Sequence, residues 1–138
     1  MAVEDNAALV RRFIEAAWNH GDLAVADATH APTYGYHAPS TPGVTRSRED
    51  LRRQITTLRA DFPDLHITLD DVLAAGDTVA VRYSLRGTHA TRGKSVAITG
   101  MNFYRIADGQ VVEYWGHADN LTLRQQLGDL PSAPSAAR

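Results

Sequence analysis

The stretch GMNFYRIADGQVVEYWGHADN, residues 100 to 120, places two β-prone runs on either side of Asp108-Gly109. Its reading decides the fold of the C-terminal half. Asp-Gly between alternating runs is a strong signal for a two-residue hairpin turn, because both central positions of that turn require positive φ. A regular hairpin sets Ile106 opposite Val111, Tyr104 opposite Glu113, Asn102 opposite Trp115, Gly100 opposite His117 and Ile98 opposite Asp119. One surface then carries a carboxylate, an imidazole, an amide and an indole beside Ile98, Ile106 and Val111, which is how a binding cavity is lined. A bulged residue would shift the cross-strand pairs by one, so the alternation within each strand is the part of this expectation that does not depend on the turn.

Working outward, the period is 2 on both flanks of the hairpin. Thr78 to Thr88 forms one run, and Leu65, Ile67 and Leu69 alternate with His66, Thr68 and Asp70 in another; Ala75-Gly76-Asp77 and the polar segment near Thr91-Arg92-Gly93 separate the strands. The row Val79, Val81, Tyr83, Leu85 suits either the core or an interface. Toward the N-terminus the period becomes 3.6. Leu9, Val10, Phe13, Ile14, Ala17 and Trp18 form the stripe of an amphipathic helix over residues 5 to 20, with Gly21 as its stop. A shorter helix is expected over Leu23 to Ala28, then a short β-prone stretch from Thr33 to His37 holding Tyr34 and Tyr36, then a loop from Ala38 to Thr45. Ser47 and Asp50 have capping-box spacing ahead of Leu51, Ile55, Leu58 and Phe62, and Pro63 closes that second long helix. After the strands, Asp119 or Asn120 can cap a last helix carrying Leu121, Leu123 and Leu127 and ended by Gly128. Helices first and antiparallel strands after them indicate an α+β domain over residues 1 to 130, with residues 131 to 138 as a disordered tail.

The chain of 138 residues suffices for one core, since a domain of this length removes roughly 70% of its unfolded surface from water. Charged residues at 22%, apolar residues at 43% and a net charge of −2 supply no footprint for nucleic acid or an anionic membrane. The absence of cysteine excludes thiolate nucleophiles, disulfides and cysteine-bearing metal sites. MAVEDNAALV lacks the basic and apolar regions of a secretory leader, so the expected location is cytoplasmic.

Asp119 admits two readings. Enclosed by apolar groups at the inner end of a strand, a carboxylate would have its pKa raised by desolvation and could take a proton from carbon, with an amide or imidazole stabilising the enolate. Alternatively it is the N-cap of the helix at Leu121. His117 and Asn102 are candidate donors in the first reading; Trp115, Tyr104, Tyr36, Trp18 and Phe13 are candidate substrate contacts. His37, His117 and Asp119 are ligand types, but no HExxH, phosphate loop, GxSxG or GxGxxG is present, and no metal or cofactor is expected.

The runs DFPDLHITLDDVLAAGDTVAVRYSLRGTH and GMNFYRIADGQVVEYWGHADNLTLRQQLG, with the opening FIEAAWNHGDLAVAD, resemble the SnoaL-like polyketide cyclases of the nuclear-transport-factor-2-like superfamily over about residues 5 to 128. The most specific part is Glu113-x-Trp115-x-x-x-Asp119-x-Leu121-x-Leu123-x-x-Gln126-Leu127-Gly128. The resemblance implies a cone of curved antiparallel sheet wrapped by helices around a deep apolar cavity, commonly in a homodimer. It also implies cofactor-independent aldol closure of a small apolar or aromatic carbonyl substrate, with Asp119 as general base. Where many relatives carry a histidine before the last hairpin, this chain has Asn102, and an amide does not take up a proton. Hydrolysis or isomerisation with the same aspartate, and ligand binding without chemistry, are the alternatives that the superfamily offers.

Overall fold

The computed structural model describes residues 3 to 131. Helix α1, Val3–Arg12, has Glu4 and Asp5 in its first turn and Arg11 and Arg12 in its last, the arrangement that suits the helix dipole. It runs into a π-helical segment, Phe13–Trp18, which buries Phe13, Ile14, Ala17 and Trp18. Gly21, at φ 72°, turns the chain into α2, Leu23–Thr29, capped by Asp22. Helix α3, Arg48–Asp61, starts on the capping box that its sequence spells: Ser47 Oγ accepts from Asp50 N, and Asp50 accepts from Ser47 N. Helix α4, Asn120–Leu127, is capped by Asp119 and ends at Gly128 in the left-handed region.

The strands are β1 His30–Ala38, β2 Thr41–Ser47, β3 His66–Ala75, β4 Thr78–Thr88, β5 Ser95–Ala107 and β6 Gln110–Ala118. They form one sheet in the order β2-β1-β6-β5-β4-β3. The expected meander, β3 to β6, is antiparallel throughout, but β1 joins β6 in parallel, so the sheet is mixed. The segment from Ala38 to Thr45, expected as a loop, is instead the end of β1, the turn and most of β2 in a β1/β2 hairpin; Pro39 lies in the turn, and Pro42 and Gly43 lie on an edge strand, where a missing backbone donor costs little. The tail expected over residues 131 to 138 falls, apart from Pro131, outside the described residues. Among the described residues no helix is long and apolar enough to cross a membrane.

The helices cover one face of the curved sheet, and the core lies between the two layers. Val79, Val81 and Tyr83 are buried and Leu85 half-buried, which assigns that row of β4 to the core. Along β5 the alternation is complete: Val96, Ile98, Gly100, Asn102, Tyr104 and Ile106 are buried, whereas Met101 and Phe103, 61% and 53% exposed, face outward.

The β5/β6 hairpin departs from regular pairing at one residue. Asp108 and Gly109, at φ 52° and 72°, form the expected two-residue turn, and Ile106 faces Val111 as expected. Val112 then bulges, because Arg105 is already opposite Glu113. From there every pair is moved by one, to Tyr104 with Tyr114, Asn102 with Gly116 and Gly100 with Ala118. Val111 and Tyr114 both face the core as a result, and Glu113, Trp115 and His117 stand on the outer face.

Candidate functional site

Between the helices and the concave face lies a cavity of about 280 Å³. That is close to the lower end of pockets for drug-sized ligands, roughly 300 Å³. Phe13, Ile14 and Trp18 of the π-helical segment line it, with Leu51 and Leu58 of α3, Ile67 of β3 and Ile98 of β5. A π-helical turn inside a longer helix is often found at functional sites, since it re-aims side chains that a regular helix would place elsewhere.

Polar groups enter this apolar wall from four strands, Tyr83 being the contribution of β4. Tyr34 and Tyr36 come from β1, Asn102 and Tyr104 from β5, and Tyr114 from β6. Three of them are joined in a chain: Tyr114 Oη donates to Asn102 Oδ1 at 3.3 Å, and Asn102 Nδ2 donates to Tyr104 Oη at 3.2 Å. Because the Tyr104 oxygen accepts from Asn102, its own proton is available to a ligand, and a phenol that accepts one hydrogen bond is a stronger donor of the next. Burial pushes the Tyr104 and Tyr114 hydroxyls above the ordinary phenol range and the Tyr34 and Tyr83 hydroxyls up to about 12. All four are therefore neutral hydrogen-bonding groups near neutral pH.

Two glycines make room for these rings. Tyr114 leans along β6 over Gly116, and Tyr83 of β4 leans across onto Gly100, its partner on β5; a Cβ at either glycine would collide with the phenol oxygen. Glycine is required here for space, not for backbone conformation.

His30, the first residue of β1, also lines the cavity and is only 2% exposed. Phe13 and Tyr34 meet its ring edge-on, at centroid distances of 4.5 and 5.2 Å. The hydroxyl of Thr29 donates to the Val25 carbonyl at 2.8 Å, so its single proton is committed. Its contact of 3.1 Å with His30 Nδ1 must then run from Nδ1–H to the Thr29 oxygen, which assigns the tautomer with a bare Nε2. Desolvation, with a smaller contribution from the Arg48 charge, lowers the His30 pKa to about 4, so the ring is neutral at pH 7.

Of the residues singled out from sequence, Phe13, Trp18, Tyr36, Asn102 and Tyr104 line the cavity. Trp115, His117 and Asp119 do not. Trp115 stacks on His37 outside the sheet, with ring centroids 5.1 Å apart and planes within 10°. His37 Nε2 is held there by Glu113 at 2.8 Å, and Glu113 also binds Arg105 at 2.8 Å, which keeps its carboxyl below the ordinary range. His117 is exposed opposite Met101. The Asp119 carboxylate is exposed and occupied as a cap, accepting from Thr122 Oγ1 at 2.6 Å and Thr122 N at 3.0 Å. These bonds lower its pKa, whereas enclosure would have raised it. The expected cluster of Asp119, His117 and Asn102 is thus split across the sheet by the bulge at Val112, leaving Asn102 inside.

Sequence reasoning missed His30, Tyr83, Tyr114 and Gly116. The even spacing of His30, Tyr34 and Tyr36 along one strand was the available signal for the first. Tyr114 had no such signal, because its face is set by the bulge.

The fold recurs among solved structures. AclR from Streptomyces galilaeus, named as a candidate hydroxylase, is 26% identical with a TM-score of 0.84, over 99% of this chain and 88% of that one. IdmH from Streptomyces antibioticus, named as a candidate polyketide cyclase, is 33% identical with a TM-score of 0.80, over 89% of this chain and 98% of that one. An epoxide hydrolase of the LEH-like type from M. tuberculosis shares the fold at 12% identity and a TM-score of 0.75, over 92% of each chain. Among curated proteins the chain has no match. The family model described as SnoaL-like polyketide cyclase matches residues 8 to 127, spanning the helices that roof the cavity and the strands that wall it. The chain belongs to the SnoaL-like polyketide cyclase family.

Proposed function

We propose that this protein is an enzyme that admits a flat, partly aromatic carbonyl compound to the cavity and closes a ring in it by intramolecular aldol chemistry. The observation that carries the reading is the chain from Tyr114 through Asn102 to Tyr104, which ends on a phenol proton free to meet a carbonyl oxygen inside an apolar enclosure. In water such a hydrogen bond gains little, because solvent competes for the oxygen. Inside a dry wall a fixed donor stabilises the oxyanion as it develops, and removing one such donor costs about 10²- to 10³-fold in kcat in comparable sites. Proton transfers alone suffice for the reaction, since aldol closure leaves the molecular formula unchanged.

The test uses aryl 1,3-diketones that carry a second ketone in reach, incubated with the full chain and with Tyr104→Phe. The expected product is an isomer of unchanged mass, formed at least about tenfold more slowly by Tyr104→Phe. A second reading, a cavity that binds without chemistry, draws support from Asp119, which serves as a helix cap with a lowered pKa. Ligand binding with no isomer from any diketone supports that second reading and refutes the first.

A further inference from the structure

We propose that His30 is the general base of this cavity, taking the proton from the carbon next to the substrate carbonyl on Nε2. The inference rests on the ring-closure reading above and supplies the group that it lacks, since Asp119 stands outside the cavity. Among the described residues lining the cavity, the titratable side chains are His30 and tyrosines. Of these, Tyr34, Tyr83, Tyr104 and Tyr114 are held protonated by burial and serve as donors. His30 is the complementary group, a neutral imidazole whose Nδ1 proton is engaged by Thr29 and whose Nε2 carries a lone pair.

The position is built. Thr29 fixes the ring from the end of α2, Phe13 and Tyr34 meet it edge-on, and Arg48 Nε donates to the His30 carbonyl at 2.9 Å, tying the backbone of β1 to α3. Phe13 also packs edge-on against Tyr104, at 6.4 Å, so the imidazole and the donor phenol gather around one ring.

The step balances without another reagent. Nε2 accepts the α-proton, the C–H pair becomes the enolate double bond, and the carbonyl π pair moves to oxygen, where the Tyr104 proton meets it. The enolate carbon then bonds to the second carbonyl of the same molecule. The alkoxide so formed takes the proton back from Nε2–H, and His30 returns to its neutral tautomer. Thr29 is a positioning residue, because it acts only through Nδ1.

Two measurements test this. Long-range ¹H–¹⁵N spectra of the imidazole in the full chain assign its tautomer without any ligand. Protonated Nδ1 with bare Nε2 is expected, and the reverse pattern, or a charged ring at pH 7, overturns the proposal. The second measurement follows loss of the α-proton signals of 2-tetralone in D₂O. The wild-type protein is expected to accelerate exchange. His30→Gln is expected to lose at least about tenfold of that acceleration while still binding 2-tetralone by saturation-transfer NMR. Thr29→Val, which retains the imidazole but removes the acceptor for Nδ1–H, is expected to lower the rate with the fold intact. Full acceleration in His30→Gln overturns the base assignment and leaves the ring-closure reading standing. No acceleration by the wild-type protein overturns both.

Discussion

The state of His30 makes a quantitative prediction about stability. In the unfolded chain a histidine titrates near 6.5, and in the folded protein burial lowers this one to about 4. Between those values the unfolded state holds a proton that the native state does not, so stability rises with pH through the window and falls as the solution is acidified. The contribution is complete above about pH 6.5 and is lost progressively toward pH 4. Each pH unit inside the window is worth about 1.4 kcal/mol, which gives a ceiling of about 3 kcal/mol, most of it lost between pH 7.5 and 4.5. The perturbation is His30→Gln, which cannot titrate. Arg48 and Asp27, the charged groups that act on the ring, are unchanged in both proteins, so subtracting the two pH profiles isolates His30. Urea unfolding at pH 7.5, 6.5, 5.5 and 4.5 provides the profiles, read as midpoints at constant slope. The wild-type profile should fall by about 2 to 3 kcal/mol more than that of the variant over this range. Parallel profiles, within about 0.5 kcal/mol, would mean that His30 is hydrated or charged in the folded protein, and the argument for a bare Nε2 would be lost.

Three other outcomes follow from the same geometry. Asp119→Asn keeps a capping side chain and should leave ring closure within about twofold of the wild-type rate; a loss beyond about tenfold in a steady-state assay would return Asp119 to the reaction. Gly116→Ala should displace the Tyr114 phenol, break its bond to Asn102 and destabilise the fold by about 1–3 kcal/mol, as seen in urea unfolding together with weakened 2-tetralone binding. Ile55, wholly buried on the inner face of α3, should cost about 2–5 kcal/mol when cut to alanine, and a smaller loss would indicate that the helix layer collapses into the cavity.

Much of the architecture is written locally in the chain. The capping box at Ser47 and Asp50, the stop at Gly21, the Asp108-Gly109 turn and the cap at Asp119 each involve residues a few positions apart, so their hydrogen bonds are legible before any tertiary contact exists. The inward face of β5 was legible as well, because its alternation is unbroken from Val96 to Ile106. The partner of β1 was not, since its parallel pairing with β6 spans some eighty positions and neither strand's composition names the other.

The sequence by itself determined the long helices, the meander from β3 to β6 and the amide and phenol of β5 that enter the cavity, whereas the edge strand β2, rich in Pro and Gly, emerged only where β1 offered it a partner. Which side of β6 faces that cavity was decided only in the folded protein, where Val111 and Tyr114 both pack inward and Val112 is left as the extra residue between them. A strand has a period of two, so one bulged residue exchanges its faces beyond the bulge. That exchange carried Trp115 and His117 to the outside and Tyr114 to the inside, and the Asp119 carboxylate stands outside as well. His30 gained its place in the same way, through helices and strands that meet only when the sheet closes over them.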